Sequence, residues 1–136
     1  MQNYAEITNI TERQRAFLND TINFFNSNNR ATTPRNFGLE KCIYSPLGNN
    51  CGCAIGRHLP KELAMQLDEL SESDISTIFN KHSMLYAQLP TWMKDMQIEF
   101  ISYVQSLHDN YNFWGENGLS DSGRRMVDRI NSNFNL

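Results

Sequence analysis

The chain has 136 residues and a formal net charge of −3; 40% of the residues are hydrophobic and 20% are charged. A chain of this length buries enough apolar surface to fold as one globular domain, residues 1–136, without a metal ion or a disulfide. No run of Lys or Arg is longer than Arg124-Arg125, and no stretch reaches the roughly 18 to 20 apolar residues of a membrane span. We therefore expect neither duplex DNA nor a membrane as a partner.

The N-terminal residues MQNYAEITNITERQ contain neither the basic segment nor the apolar segment of a secretory signal. We therefore expect a cytoplasmic protein, whose three cysteines remain thiols in a reducing compartment. The triplet Asn9-Ile10-Thr11 is then not expected to carry a glycan.

The first predicted helix follows from apolar residues at spacings of three, four and seven. They are Phe17, Leu18, Ile22, Phe24 and Phe25. Thr11 or Asn9 is the expected N-cap, because either side chain can accept a hydrogen bond from the first turn. The helix should end near Asn28-Asn29, since asparagine tolerates the left-handed conformation found at helix C-termini. Residues 30–40 (RATTPRNFGLE) then form a loop.

A β-hairpin is predicted from Lys41–Tyr44 and Cys51–Ile55, two short β-prone runs joined by SPLGNN. The proline and the glycine of this loop suit a turn. A symmetric loop would place Cys42 opposite Cys53 and would allow a disulfide there, which the reducing compartment disfavours. A slip of one residue would move side chains to the other face, so the register stays open.

Two helical segments are expected after the hairpin. Pro60 suits the first helical position of the first one, which continues through KELAMQLDEL with leucines at helical spacing. Ser73-Asp74 opens the second, a shorter segment that continues through ISTIF.

The strongest helical signal runs from Thr91 to about Asn110. One broad apolar stripe follows it: Trp92, Met96, Phe100, Tyr103, Val104 and Leu107. After a loop over residues 112–118, Ser120 is the expected N-cap of a last helix. That helix should bury Met126, Val127, Ile130 and Phe134. The predicted fold class is α+β, mostly α, with about four to five helices packed around one small β-hairpin.

The cysteines allow three interpretations. One is a zinc site formed by Cys42, Cys51, Cys53 and His58. Zinc ligand pairs are usually separated by two to four residues and Cys-Gly-Cys is tighter, so we expect no metal. In the second, Cys53 is a nucleophile, His58, His82 or His108 is a possible base, and a carboxylate such as Asp109 orients it; the preferred set is Cys53, His108 and Asp109. We favour the third, in which the thiols pack under the hairpin, with no catalytic residue and no cofactor.

A second set of residues points to a binding site around the hairpin. Gly56 lets a ligand or a backbone approach closely, and Arg57 has the planar fork that suits phosphate or carboxylate. His108-Asp109 ends the long helix, where a histidine also suits the helix dipole. Each residue alone has a structural explanation, but together they predict one ligand pocket. Its residues are Tyr44, Gly56, Arg57, His108, Asp109 and Trp114, with the two aromatic rings as stacking surfaces.

The same region carries a pattern: Cys42-Ile43-Tyr44, Gly48, the segment CAIGRHLP from Cys53, and LHD followed by Trp114. Over roughly residues 41–114 it resembles a family of small uncharacterised proteins from bacteriophage and bacterial genomes. Gln105 departs from the family by one place in the helix end, and the family pattern includes neither Cys51 nor His58. The resemblance implies no reaction. It implies that the hairpin and the helix end form one unit, and it implies a phage or mobile-element origin, hence the host cytosol.

These observations predict a phage-encoded binding protein that sequesters a small polar or nucleotide-like host immune signal and performs no chemistry. By analogy, a phage gains from an abundant protein that removes such a signal from the host. A Cys/His-dependent hydrolase or transferase is the first alternative. A protein that binds and inhibits a host enzyme is the second. The sequence leaves the oligomeric state open, a homo-oligomer included.

Overall fold

A computed structural model describes residues 3–32, 43–46, 52–70 and 75–136. These ranges contain seven α-helices: α1 (Ile10–Phe24), α2 (Lys61–Asp68), α3 (Ile75–Lys81), α4 (Ser83–Ala87), α5 (Thr91–Lys94), α6 (Ile98–Asp109) and α7 (Asp121–Phe134). Two short strands are also present: β1 (Trp114–Gly115) and β2 (Gly118–Leu119). Three-residue 3₁₀ helices lie at Tyr4–Glu6, Gly56–His58 and Tyr111–Phe113.

The fold class predicted from the sequence is confirmed: the described chain is mostly helical, with one small antiparallel hairpin. Its helices outnumber the predicted four to five for two reasons. α4 was not predicted, and the segment from Thr91 to Asn110 forms two helices instead of one. None of the helices in the described ranges is long and apolar enough to cross a membrane.

The hairpin is not where the sequence predicted it. In the structure β1 pairs with β2, with Trp114 opposite Leu119. Three residues of the predicted strands lie outside the described residues: Lys41, Cys42 and Cys51. The predicted register, with Cys42 opposite Cys53, therefore also falls outside them. Residues 43–46 and 52–55 form no strand. Single backbone hydrogen bonds hold them instead: Cys53 N–H donates to Ile43 O at 2.8 Å, and Ile43 N–H donates to Ala31 O at 2.9 Å.

α1 begins as predicted but ends earlier. The side chain of Asn9 accepts a hydrogen bond from Glu12 N–H at 2.9 Å, which confirms Asn9 as the N-cap. The helix ends at Phe24, because the side chain of Asn26 accepts from the backbone N–H groups of Asn28 and Asn29. These bonds offer the backbone a turn that competes with another helical turn.

The long helix expected from Thr91 is interrupted between Lys94 and Ile98. Side chains of α1 bind the chain on both sides of this break. Arg13 Nη1 donates to Trp92 O at 2.8 Å, and the amide oxygen of Gln14 accepts from Gln97 N–H at 3.1 Å. Since both side chains are buried, the contact with α1 outweighs the helical propensity of the segment.

α6 contacts α1, α3 and α7; in its apolar stripe Phe100, Val104 and Leu107 are buried and Tyr103 is half-buried. α7 starts as predicted, because Ser120 Oγ accepts from Gly123 N–H at 3.1 Å. Of the four α7 residues expected in the core, only Ile130 is fully buried; Met126, Val127 and Phe134 are half-buried. Pro60 is the N-cap residue of α2 instead of its first helical residue.

Candidate functional site

An open cleft of about 450 Å³ lies between the 3₁₀ helix at Gly56–His58, the segment before α5 and the N-terminal residues. We call it the Trp92 cleft. Its lining consists of Asn3, Tyr4, Arg57, His58, Leu59, Pro60, Pro90 and Trp92. Arg57 is the one residue of the predicted ligand pocket that lines it.

Gly56 positions the polar part of this lining. A Cβ atom at Gly56 would overlap the carbonyl oxygen of Tyr44 and would lie 2.5 Å from its Cα, so the two backbones can meet only at a glycine. Directly after this contact, Arg57 N–H donates to Cys53 O and His58 N–H donates to Ile55 O, both at 3.1 Å. The tight turn places Arg57 and His58 next to each other beside α1. Gly56 therefore has a structural role under the cleft and is itself buried.

Asp20 of α1 holds the guanidinium of Arg57. Arg57 Nη1 donates to Asp20 Oδ2 at 2.9 Å, and the hydroxyl of Tyr4 donates to the same oxygen at 2.9 Å. The Arg57 side chain is only 6% exposed, and its Cζ lies 3.7 Å from the ring centroid of Phe24. Ion pairing and cation–π stacking thus fix the guanidinium in one place.

The electrostatics of this cluster follow from burial and from the Asp20–Arg57 pair. Burial alone would raise the pKa of Asp20, but hydrogen bonds from Tyr4 and Arg57 and the charge of Arg57 outweigh it, so the pKa lies below its usual value. Burial, and then the hydrogen bond to Asp20, raises the pKa of Tyr4. Asp20 is therefore ionised at neutral pH, and Tyr4 keeps its proton.

His58 is the second polar residue in the lining. Burial, followed by the nearby charge of Arg57, lowers the pKa of His58 from 6.5 to about 4, against the opposing effect of Asp20. Its Nε2 lies 3.4 Å from Arg57 Nη1 and 3.8 Å from Asp20 Oδ2. Since Arg57 can only donate, Nε2 accepts and the ring proton sits on Nδ1. His58 is neutral at pH 7.

Trp92 forms the aromatic wall of the cleft. Tyr4 stacks on it with ring centroids 4.9 Å apart and an interplanar angle of 25°, and His58 meets it edge-on at 5.9 Å. Trp92 is half-buried, so part of the indole faces the open space. Pro60 and Pro90 add rigid apolar surface at the rim.

His108 lies in the core and does not line the cleft. Its Nδ1–H donates to Asp109 Oδ1 at 2.6 Å, and its Nε2 accepts from Ala31 N–H at 3.2 Å. The ring is completely buried and packs edge-on against Phe25, with centroids 4.6 Å apart. Asp109 is 24% exposed and orients the ring. Both ring nitrogens are therefore used within the protein.

Tyr44 and Trp114, the predicted stacking surfaces, are also buried. The hydroxyl of Tyr44 accepts from the Gln105 amide at 2.6 Å, and the indole N–H of Trp114 donates to Leu107 O at 2.7 Å. Each aromatic ring thus anchors a neighbouring segment to α6, and neither lines the Trp92 cleft.

The predicted residues nevertheless lie near one another. Arg57 Cζ lies 5.8 Å from the ring centroid of Phe25, and the centroid of the His108 ring lies 4.6 Å from the same point. The distance between Arg57 Cζ and the His108 ring centroid is therefore no greater than the sum of these two distances. Both side chains therefore lie close to the ring of Phe25. They do not share a pocket, since Arg57 lines the cleft and His108 lies in the core.

Cys53 is completely buried, and its Sγ accepts from Gly56 N–H at 3.4 Å. In the part of the chain that the structure describes, no hydrogen bond joins Cys53 to a histidine. The same residues contain no group of His, Cys, Asp and Glu that could hold a metal ion. Cys42 and Cys51 lie outside them, so the four-residue zinc set stays untested as a whole.

The sequence did not indicate Tyr4, Asp20 or Trp92 as site residues, and it suggested His58 only as a zinc ligand or as one of three possible bases for Cys53. Asp20 had a readable signal, since it lies three residues after Phe17 and four before Phe24, on the apolar face of α1. A carboxylate at such a position needs a partner. Trp92 was hidden in the apolar stripe of the supposed long helix.

The fold and the cleft define a small, mostly helical protein with an open, aromatic-walled cavity beside a partly buried ion pair. Comparison with protein families, curated proteins and solved structures finds no match for the chain. The resemblance to small phage proteins therefore stays a prediction.

Proposed function

We propose that the protein binds a small nucleotide-like ligand in the Trp92 cleft and releases it unchanged. The observation that supports this most is the juxtaposition in one open space of the Trp92 indole with Arg57 and His58. Ligand sites of this size combine apolar and aromatic walls with a few fixed polar groups. The cleft has that composition, and its polar groups are fixed by Asp20 and the turn after Gly56.

The protonation and burial of the candidate catalytic groups favour binding over Cys/His chemistry. A general base works best when its pKa is near the working pH, and the pKa of His58 is lowered to about 4. Cys53 has no exposed surface for a substrate to reach. His108 spends both ring nitrogens on Ala31 and Asp109. A binding protein requires none of these groups to react.

The biological role within this proposal is sequestration of a nucleotide-like immune signal of the host by a phage protein. It rests on the sequence resemblance and on analogy, and the cleft is compatible with it because the cavity of about 450 Å³ suits a small molecule.

The test is a depletion and release experiment. The protein is incubated with a panel of nucleotides and nucleosides, separated from free ligand, and denatured by heat, and the supernatant is analysed by mass spectrometry. Recovery of the intact ligand supports the proposal. A converted product would show an enzyme, and no depletion of any compound would favour a protein partner.

Two aromatic variants make the experiment specific to the cleft. Trp92→Leu removes the stacking wall and should weaken retention at least about tenfold, because stacking of a base on an aromatic ring contributes about 1–3 kcal/mol. Tyr111→Leu removes an aromatic ring that is 41% exposed and does not line the cleft, and should retain the ligand like the unmodified protein. Circular dichroism of both variants checks that they are folded.

A further inference from the structure

We infer that the Trp92 cleft recognises the uncharged heteroaromatic ring of its ligand and gains no affinity from a phosphate group. This inference rests on the proposed function and specifies its ligand class. It reverses the expectation from the sequence, in which Arg57 supplies positive charge to an anionic ligand.

The charge of Arg57 is already compensated inside the protein. Its Nη1 lies 2.9 Å from Asp20 Oδ2, and the side chain is 6% exposed. Arg57 is the one ionised residue in the cleft lining among the described residues, since His58 is neutral at pH 7. A phosphate that approached Arg57 would also approach the carboxylate of Asp20. The phosphate would therefore lose its hydration in order to contact an ion pair with no net charge, and the attraction to that pair is too weak to offset this loss.

The polar atoms that remain for a ligand match the edge of a heterocycle. The His58 side chain borders the cleft and is only 2% exposed; with its Nε2 accepting from Arg57, its Nδ1–H has no hydrogen-bond partner among the described residues. Asn3 lines the same cleft and carries an amide with both donors and an acceptor. Ring nitrogens and exocyclic groups of a nucleobase pair with such groups while the ring stacks on Trp92.

The first measurement compares ligands that differ only in phosphate. Dissociation constants of the unmodified protein are determined by calorimetry for the four ribonucleosides, their 5′-monophosphates and inorganic phosphate. For the nucleobase that binds most tightly, we expect the dissociation constants of the nucleoside and of its monophosphate to differ by no more than about threefold. Inorganic phosphate should not bind. Raising the salt from about 0.05 to about 0.3 M should leave the affinity unchanged, because only charge-dependent binding is screened.

A single substitution exposes the charge of Arg57 without removing its contacts. Tyr4 and Arg57 both donate to the same oxygen of Asp20, so the amide oxygen of Asp20→Asn can accept both bonds and only the negative charge is lost. We expect this variant to bind the monophosphate about tenfold more tightly than the nucleoside, in a salt-dependent way. Asp121→Asn is the matched control: it makes the same charge change at an 87% exposed side chain outside the cleft and should leave the ratio unchanged.

The outcomes separate the inference from the proposed function. If the unmodified protein prefers the monophosphate by tenfold or more and Asp20→Asn adds nothing, the ligand proposal survives and the charge argument is wrong. If no compound binds to either protein, the proposed function fails and this inference with it. Equal binding of nucleoside and monophosphate, followed by a phosphate preference in Asp20→Asn alone, supports both.

Discussion

Two histidines in this protein each lie beside an aspartate, and the two pairs have different roles. His58 lines an open cleft near Asp20, in a network that includes an arginine and a tyrosine. His108 lies in the core, where Asp109 and a backbone N–H use both of its ring nitrogens. In the sequence, the second pair looks more like a functional site because its residues are adjacent.

The two pairs differ in whether the histidine borders a cavity. Adjacency of the two residues in the sequence does not predict this difference. The carboxylate of Asp20 comes from a helix 37 residues away from Arg57 in the chain, and it fixes groups that line a cavity. The carboxylate of Asp109 orients a ring that no ligand can reach without opening the core. Substitutions in the first region should therefore change ligand affinity, and substitutions in the second should leave the ligand affinity of the folded protein unchanged.

The largest effect should come from Gly56, which lies directly before Arg57 and His58 and packs against the Tyr44 backbone. Gly56→Ala places a methyl group on the Tyr44 carbonyl, and one backbone segment must move. We expect the free energy of unfolding in urea to fall by at least about 4 kcal/mol.

The control for this prediction is Gly115→Ala, where the nearest atom to a new Cβ would be Gly118 O at an ordinary 3.8 Å. This variant should lose less than about 1 kcal/mol. Equal losses in the two variants would mean that the close approach at Gly56 has no special importance for the fold.

His108→Ala should be the next most damaging change. It leaves a cavity beside Phe25 and a buried Ala31 N–H without its acceptor. We expect a loss of about 3 kcal/mol in the free energy of unfolding, with ligand affinity unchanged in the folded protein. The opposite result, native stability with weakened binding, would move His108 into the binding site, as the sequence had predicted.

The pH dependence of stability should show that the pKa of His58 is lowered in the folded protein. In the unfolded chain its pKa is near 6.5, and in the folded protein it is lowered to about 4. Between these two values the unfolded state binds more protons, so stability falls as the pH is lowered through this window. The loss attributable to His58 should reach about 2 to 3 kcal/mol near pH 4, since each pKa unit corresponds to about 1.4 kcal/mol.

Urea unfolding of the protein and of His58→Gln at intervals from pH 7 to pH 4 measures this contribution. The variant should show a flatter profile between pH 6.5 and pH 4. Asp20, whose pKa is lowered in the folded state, adds a loss in both proteins only at lower pH, as the carboxylate is protonated. Parallel profiles for the two proteins would show that His58 is not buried as a neutral ring.

Local signals in the sequence predicted most of the helices. Asn9 and Ser120 cap α1 and α7 as expected, because capping depends on a side chain and the backbone two or three residues away. The break before Ile98 was not predictable in this way. It is stabilised by Arg13 and Gln14, which come from a helix more than 75 residues earlier.

The candidate site was predictable only in part, for the same physical reason. The glycine, the arginine and the turn between them are adjacent in sequence, and the structure places Arg57 at the cleft. Its partners Tyr4, Asp20 and Trp92 are distant in sequence, and which face of Trp92 is covered depends on the packing of three segments. Residue types indicated a site, but only tertiary packing determines that the largely buried His58 borders a cavity and that His108 does not.

The smallest effects should come from removing one charge in each region. Asp20→Asn keeps an acceptor for Tyr4 and Arg57 but leaves the buried guanidinium without a counter-charge, so we expect a loss of about 2 kcal/mol in unfolding free energy. At position 109 the carboxylate faces the ring of His108. That ring carries no charge, because its Nε2 accepts a hydrogen bond from Ala31 N–H. The amide oxygen of Asp109→Asn can still accept from Nδ1–H, so this loss should stay below about 1 kcal/mol. A larger loss at Asp109 than at Asp20 would mean that the negative charge of Asp20 does not stabilise the Arg57 guanidinium and that the His108 ring is not neutral.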